Sequence, residues 1–251
     1  MIAFITGASA GFGAAIARRF VAEGQRVILA ARRRERLQQL AAELGERAWV
    51  FELDVREPGD LAARLETLPP AFREIDVLVN NAGLALGLAP AHQASLEDWE
   101  TMVQTNILGL LKVTRCLLPG FVARSRGHVI NLGSTAGEWP YPGAHVYGAS
   151  KAFVRQFSLN LRADLYATPV RVSNIEPGLA GGTEFSEVRF HGDTSRAAQV
   201  YANTRPLSAE DVAEAVWWCA RLPAHVNVNT LSLTPVCQGF APVAVHRESQ
   251  S

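Results

Sequence analysis

The chain has 251 residues, no formal net charge at pH 7 and a hydrophobic content of 48%. The neutral charge balance argues against nucleic acid or another polyanion as a partner. The length and apolar content suffice for one large α/β domain, and the three cysteines, none of them in a CxxC pair, indicate neither a disulfide nor a zinc framework.

The sequence contains no pattern typical of export or of membrane insertion. The apolar run at residues 2–5 lacks a preceding basic region and stops too early for a signal peptide. Residues 222–246 carry no charged side chain, but their prolines, asparagines and histidines argue against a membrane span. We therefore expect a soluble protein of the reducing cytoplasm.

The first predicted strand, residues 2–5, leads into a glycine-rich turn and then a helix. Glycines let the backbone turn tightly and approach a phosphate, and a helix amino terminus offers free N–H groups. The turn is thus a candidate cofactor site, formed by Gly7, Ala8, Ser9, Ala10, Gly11, Phe12 and Gly13. Such a turn can also simply close a strand–helix corner, and the residues alone leave both interpretations open.

Three arginines follow the second predicted strand, residues 27–31, where an acidic residue would bind the ribose 2′-hydroxyl of NAD. Arg32, Arg33 and Arg34 crowd the start of the next helix, whose dipole opposes positive charge. A bound 2′-phosphate would relieve that opposition and suits guanidinium groups. The pattern favours NADP over NAD. The alternative is a solvated basic turn partly offset by Glu35.

The middle of the chain predicts two more strands and two helices. Strand 49–53 is followed by Asp54, which either lies beside the adenine of a nucleotide or acts as a helix cap or turn residue. A helix is predicted over residues 58–68, and strand 77–79 leads into Asn80, a turn or a cofactor contact. A helix capped by Ser95 runs to about Leu118, with Asn106 as either a core amide or a site residue.

The fifth predicted strand, residues 128–133, ends at Ser134, and a helix begins near Tyr147. Tyr147 and Lys151 are four residues apart, so they lie on one face of that helix. An ammonium near a phenol lowers its pKa, which would make Tyr147 a general acid/base, while Ser134 could donate a hydrogen bond to a substrate oxygen. The alternative is an ordinary amphipathic helix surface.

The sixth strand, residues 170–175, ends near Pro177 and Gly178. Residues 179–208 are polar and lack a sustained period, which predicts a substrate-binding loop or lid, or disorder. A helix capped by Ser208 and a seventh strand at residues 228–233 follow. Strands alternating with helices predict a single doubly wound Rossmann domain over residues 1–251, with a seven-stranded parallel sheet and ligands at the carboxyl ends of its strands.

Taken together, these motifs resemble the short-chain dehydrogenase/reductase family over nearly the whole chain. The residues that carry the resemblance are Thr6, Gly7, Gly11, Gly13, Asn80, Asn81, Ala82, Gly83, Asn106, Ser134, Tyr147, Lys151, Pro177 and Gly178. The resemblance implies that Tyr147 moves the proton, Ser134 orients the substrate oxygen, Lys151 lowers the Tyr147 pKa and holds the nicotinamide ribose, and Asn106 supports a relay water. It also implies cofactor contacts from Val55, Gly182, Thr183 and Phe185. Ala10 departs from the basic residue that many NADP enzymes carry there.

A narrower resemblance concerns residues 84–87, 138–141, 181–185 and 222–227, which are similar to NADP-dependent 3-hydroxy acid dehydrogenases, also described as serine or allo-threonine dehydrogenases and malonic semialdehyde reductases. It implies a small 3-hydroxy or 3-oxo acid substrate and a homotetramer. Arg189 is a candidate partner for the substrate carboxylate, although a solvated loop arginine is the favoured interpretation. A reductase of another ketone or a sugar, and a non-catalytic NADPH-binding regulator, stay open.

Overall fold

The computed structural model describes residues 1–240 as a three-layer α/β domain, and residues 241–251 lie outside the described part. The strands are β1 (Ile2–Thr6), β2 (Arg26–Ala31), β3 (Ala48–Glu52), β4 (Val77–Asn80), β5 (Gly127–Leu132), β6 (Val170–Pro177) and β7 (Thr230–Leu233). The helices are α1 (Gly11–Ala22), α2 (Arg34–Leu44), α3 (Leu61–Glu66), α4 (Leu96–Val103), α5 (Leu110–Ala123), α6 (His145–Asp164), α7 (Phe185–Arg189), α8 (Thr194–Gln199) and α9 (Ala209–Arg221).

The seven strands form one parallel sheet in the order β3-β2-β1-β4-β5-β6-β7. This arrangement confirms the predicted doubly wound fold. Consecutive residues of β1 point to opposite faces, so Phe4 packs beside Val113 and Phe121 on one side while Ile5 packs beside Ile16 on the other. Because both faces are covered, the central strands are continuous apolar runs. The order reverses between β1 and β4, and this switch point opens the crevice where ligands bind in such sheets.

The predicted helix from Ser95 is longer and less regular than expected. Ser95 caps α4 by accepting a bond from the Asp98 N–H at 3.3 Å, and the helix then continues through a π-helical segment (Gln104–Gly109) into α5. It passes Pro119 and ends at Ala123 instead of Leu118, because fully buried Phe121 anchors the last turn to the sheet. Length and composition alone would allow helix Leu96–Ala123 to cross a membrane, but its contacts with β4 and β5 place it in a layer of the domain.

Three other segments differ from the predicted elements. The helix predicted over residues 58–68 is the shorter α3, Leu61–Glu66, which Asp60 caps by accepting the Ala63 N–H. The seventh strand begins at Thr230 instead of residue 228, because the Asn227 side chain takes both backbone hydrogen bonds of Val172, at 2.8 and 2.9 Å. The 179–208 segment, predicted to be without regular structure, contains the short helices α7 and α8. The α9 cap is confirmed, since Ser208 and Asp211 exchange side-chain to backbone hydrogen bonds at 2.8 and 3.1 Å.

Candidate active site

The glycine-rich turn between β1 and α1 is built for close contact with an anion. Gly7 and Gly11 have φ of +66° and +52°, a conformation that side chains disfavour. A Cβ on Gly13 would collide with the Gly7 carbonyl and lie 2.7 Å from Asn81 Nδ2. Among residues 1–240 no side chain caps the start of α1, so its first N–H groups are available to a ligand. The turn therefore fits a dinucleotide pyrophosphate.

Hydrogen bonds from Asn81 and Ala82 hold the two sides of the crevice together. The Thr6 hydroxyl accepts the N–H groups of Asn81 and Ala82 at 3.0 and 2.9 Å, and Asn81 Nδ2 donates to the Thr6 carbonyl at 2.8 Å. These bonds join the end of β1 to the segment after β4. They fix Gly83 beside the cavity that the glycine turn lines.

Charged side chains form the far rim of the same cavity. Arg33 Nε donates to Ser9 Oγ at 3.1 Å, and its Nη1 pairs with Glu184 at 2.7 Å. Asp54 accepts hydrogen bonds from Arg56, and these lower the pKa of its carboxyl group. Asp54 is not a helix cap, because Asp60 caps α3. Arg32 also lines the cavity.

Asn106 lies in the π-helical segment and is 2% exposed. Its Oδ1 accepts the Leu84 N–H at 2.9 Å, and its Nδ2 donates to the Leu84 carbonyl at 2.8 Å and to Ser150 Oγ at 3.0 Å. The side chain thus joins the segment after β4 to α6. Its amide is satisfied as a core amide would be, yet both its Oδ1 and Lys151 Nζ lie close to Gly83, at 3.3 and 3.6 Å from the position that a Cβ would take there. A role with a relay water stays a prediction.

Tyr147 and Lys151 are buried on one face of α6, with Ser134 opposite them at the end of β5. Lys151 Nζ donates to the Leu132 carbonyl at 2.7 Å and lies 5.8 Å from the centre of the Tyr147 ring. The Ser134 hydroxyl accepts the Ala136 N–H at 3.1 Å and donates to the Pro177 carbonyl at 3.4 Å. The predicted trio is therefore brought together at the edge of the sheet.

The pKa of Tyr147 shifts in the opposite direction from the predicted one. Burial raises it to about 12, and the Ser134 hydroxyl and Arg189 guanidinium lower it less strongly. Burial also lowers the pKa of Lys151 to about 8. The net shift of the Tyr147 pKa is upward because burial is its largest cause, and a lowering of this pKa by Lys151 stays a prediction.

Tyr147 lies where two cavities meet. The larger one is lined by the glycine turn, the charged rim and Lys151, and the smaller one by Ser134, Tyr141, Arg189 and Tyr201. Phe185 lines both, with its ring centre 5.7 Å from that of Tyr147. A dinucleotide in the first cavity and a small molecule in the second would therefore both meet the phenol.

Arg189 is not the solvated loop arginine that the sequence favoured. Its guanidinium carbon lies 5.2 Å from the centre of the Tyr147 ring and 5.0 Å from that of Phe185, and Nη2 donates to the Tyr141 hydroxyl at 3.2 Å. Its Nε is buried without a hydrogen-bond partner among residues 1–240. Arg189 also lines the smaller cavity, so its guanidinium is a candidate partner for an anionic ligand there.

Most predicted cofactor residues line the larger cavity, and a few do not. Ala8 is fully buried behind the turn, Gly13 is buried and lines neither cavity, Gly182 is exposed and lines neither cavity, and Pro177 and Gly178 line the smaller one. The cavity residues found as predicted are Gly7, Ser9, Ala10, Gly11, Phe12, Arg32, Arg33, Asp54, Val55, Asn81, Ala82, Gly83, Tyr147, Lys151, Thr183 and Phe185. Glu184 also lines the larger cavity but was not among the predicted site residues. In the sequence, only its position between Thr183 and Phe185 indicates a place in the site.

A doubly wound parallel sheet with a glycine turn at its switch point defines the class of dinucleotide-binding Rossmann proteins. The family described as short chain dehydrogenase matches residues 1–193, and the chain belongs to this family.

The relatives agree with this assignment. The chain is 62% identical over 247 residues to the NADP-dependent 3-hydroxy acid dehydrogenase of Salmonella typhi, covering 98% of this chain and 100% of the relative. It is 52% identical over 250 residues to sulfoacetaldehyde reductase 2 of Chromohalobacter salexigens, covering 98% and 99%. A solved structure described as the closed form of serine dehydrogenase complexed with NADP+ superimposes with a TM-score of 0.97, at 59% identity over 99% of this chain and 100% of that one.

Proposed function

We propose that this protein is an NADP-dependent oxidoreductase that interconverts small 3-hydroxy acids and 3-oxo acids. The observation that carries this proposal is the position of Arg189, whose side chain lines the smaller cavity beside the acid/base phenol of Tyr147. A cation at that place calls for an anionic substrate whose carbonyl or hydroxyl group reaches Tyr147. The relatives named as 3-hydroxy acid and serine dehydrogenases support the same substrate class.

The roles of the residues follow from their positions. The glycine turn and the start of α1 hold the pyrophosphate, and Arg32 and Arg33 hold the 2′-phosphate. Bound NADP supplies or accepts the hydride. Ser134 donates a hydrogen bond to the substrate oxygen, Tyr147 gives or takes its proton, and Arg189 binds the carboxylate. Lys151 holds the cofactor ribose, and Asn106 supports the geometry of α6 beside it.

We also propose a particular substrate, a cellular compartment and an oligomeric state. Malonic semialdehyde, a small 3-oxo acid, is the substrate that we favour, and the cytoplasm is the compartment. We also propose a homotetramer in which α5 and α6 form interfaces, and the 179–208 segment acts as the lid over the substrate. Sulfoacetaldehyde is the second candidate substrate, because a sulfonate presents the same charge to Arg189 and a relative 52% identical is named for that activity.

Following NADPH oxidation with matched carbonyl compounds tests the function. We expect malonic semialdehyde to be reduced with a kcat/KM at least about 100-fold above that of propanal, which has similar size but no charge. Sulfoacetaldehyde in the same panel distinguishes the two anionic classes. Preference for propanal, a neutral ketone or a sugar would favour the broader carbonyl reductase, and NADPH binding without turnover on any substrate would favour a regulator.

Arg189→Ala should weaken the binding of anionic substrates. Because charge-assisted hydrogen bonds contribute about 1.5–3 kcal/mol, we expect KM for malonic semialdehyde to rise roughly 10- to 150-fold, with little change in kcat/KM for propanal. Arg196→Ala is the matched control, since Arg196 lies over Phe190 on the same segment and lines neither cavity. An unchanged KM for the acid in Arg189→Ala would contradict the assignment.

The pH dependence should differ between the two directions. Oxidation needs tyrosinate, and because burial holds the pKa of Tyr147 at about 12, the tyrosinate fraction rises tenfold per pH unit. We expect kcat for hydroxy acid oxidation to rise with pH and to flatten above about 8, where Lys151 loses its charge. Reduction uses the neutral phenol and should change little from about pH 6 to 8. A rate of hydroxy acid oxidation that falls between about pH 6 and 8 would argue against Tyr147 as the base.

A further inference from the structure

We propose that Glu184 competes with the 2′-phosphate of the cofactor for Arg33, and so weakens NADP binding selectively. The inference rests on the proposed function, because it requires NADP as the cofactor and Arg33 as part of its phosphate site. It concerns Glu184 on the 179–208 segment, which was not among the predicted site residues.

The contacts of Glu184 place its carboxylate on the phosphate arginines. One oxygen accepts from Arg33 Nη1 at 2.7 Å, and the other accepts from Arg36 Nη1. The same Arg33 donates through Nε to Ser9 Oγ at 3.1 Å, in the glycine turn. Arg33 therefore lies between the turn that holds a pyrophosphate and a carboxylate from the opposite side of the crevice.

The Arg33 and Arg36 guanidinium groups are complementary in charge to a phosphate group, whereas the Glu184 carboxylate has the same sign of charge as a phosphate. Hydrogen bonds from Arg36 and Arg33 lower the pKa of Glu184, so its carboxylate is ionised at neutral pH. A guanidinium group binds a phosphate best through two parallel N–H groups. One N–H group of the Arg33 guanidinium already donates to Glu184. A 2′-phosphate therefore either displaces this carboxylate to gain both guanidinium hydrogen bonds, or binds next to a group of like charge.

Arg36 can remain the partner of the Glu184 carboxylate when a 2′-phosphate binds to Arg33. Arg33, Ser9 and Glu184 line the larger cavity, but Arg36 does not. Arg36 can thus keep Glu184 after Arg33 turns to the phosphate, and the 179–208 segment stays attached to α2. The neighbours of Glu184, Thr183 and Phe185, keep their places beside the cofactor and Tyr147. Competition is therefore compatible with a closed site.

Removing the carboxylate should strengthen the binding of 2′-phosphates only. For Glu184→Gln we expect the Kd for NADP+ and for adenosine 2′-phosphate to fall on the order of 3- to 10-fold, and the NADP+ dissociation rate to fall in parallel, because a like charge next to the phosphate is lost and screening by water limits the gain. The Kd for NAD+ should stay unchanged. Calorimetric titration and stopped-flow fluorescence measure these values without turnover.

The controls distinguish competition between Glu184 and the 2′-phosphate from a purely structural role of Glu184 in holding the 179–208 segment in place. Glu187→Gln, an exposed carboxylate on the same helix α7, should leave all three Kd values unchanged. If Glu184→Gln weakens NADP+ and NAD+ binding alike, Glu184 only holds the segment closed and competition is excluded. Unchanged binding of adenosine 2′-phosphate excludes it too. If the wild-type protein binds NADP+ no better than NAD+, the cofactor assignment itself fails. A wild type that prefers NADP+ without tighter binding in the variant refutes the competition alone.

Discussion

Replacing Tyr147 with phenylalanine should lower kcat by about 10³-fold or more while the Kd for NADPH changes less than about threefold. General acid/base groups contribute roughly 10² to 10⁴ in rate, and Tyr147 lines both cavities, as does Thr183, whose aliphatic hydroxyl is a far weaker acid than a phenol. The phenylalanine ring keeps its packing against Phe185, so the cofactor cavity retains its shape. Steady-state NADPH oxidation and NADPH fluorescence titration provide the two measurements.

A matched control for this variant is Tyr141→Phe. Tyr141 is a second phenol of the smaller cavity, and its hydroxyl accepts a hydrogen bond from Arg189 at 3.2 Å. Its loss should raise KM by at most roughly 10- to 150-fold, because a hydrogen bond from a charged donor contributes about 1.5–3 kcal/mol, and should leave kcat nearly intact. Wild-type turnover in Tyr147→Phe, or an equal loss of kcat in both variants, would rule out Tyr147 as the acid/base.

The double variant Arg32→Ala/Arg33→Ala should raise the Kd for NADP+ by about 10²-fold or more and that for NAD+ by less than about threefold. Each charge-assisted contact to phosphate contributes about 1.5–3 kcal/mol. NAD+ has no 2′-phosphate, so its binding does not depend on these contacts. Both arginines line the larger cavity on the adenosine side. Calorimetric titration with each cofactor measures the selectivity directly.

Arg34→Ala is the control for the arginine pair. Arg34 follows them at the start of α2 but pairs with Glu52 at 3.5 Å on the surface and does not line this cavity. Its removal should change neither Kd by more than about twofold, because exposed ion pairs contribute little. Equal weakening of NADP+ and NAD+ in the double variant would show that the 2′-phosphate binds elsewhere.

Local patterns in the sequence were sufficient to predict the fold. Apolar runs such as residues 77–79 could only be strands buried on both faces, and alternation with helices implied a parallel sheet. The glycine turn and the Tyr147–Lys151 spacing were also local, because both depend on a few residues in one turn of backbone. These features could be identified without knowledge of any distant contact.

Predictions failed where a distant contact decided the outcome. The helix expected to end at Leu118 continues because Phe121 packs against the sheet, and strand β7 starts late because the Asn227 side chain bonds to Val172. The pKa of Tyr147 depends on how completely the protein excludes water from it, and burial outweighs the Ser134 hydroxyl and the Arg189 guanidinium, which lower it. None of these effects leaves a local pattern in the sequence.

The sequence by itself determined the layers of the domain and the crevice at the ends of its strands, because both follow from periodicity along the chain. The acid/base trio was predicted from the Tyr147–Lys151 spacing together with the family resemblance. Only the tertiary structure decided that Arg189 faces Tyr147 and that Glu184 meets Arg33, 151 residues away in the chain. Charged side chains on a loop fit many surroundings equally well. Their partners are set by how the segment folds back over the sheet.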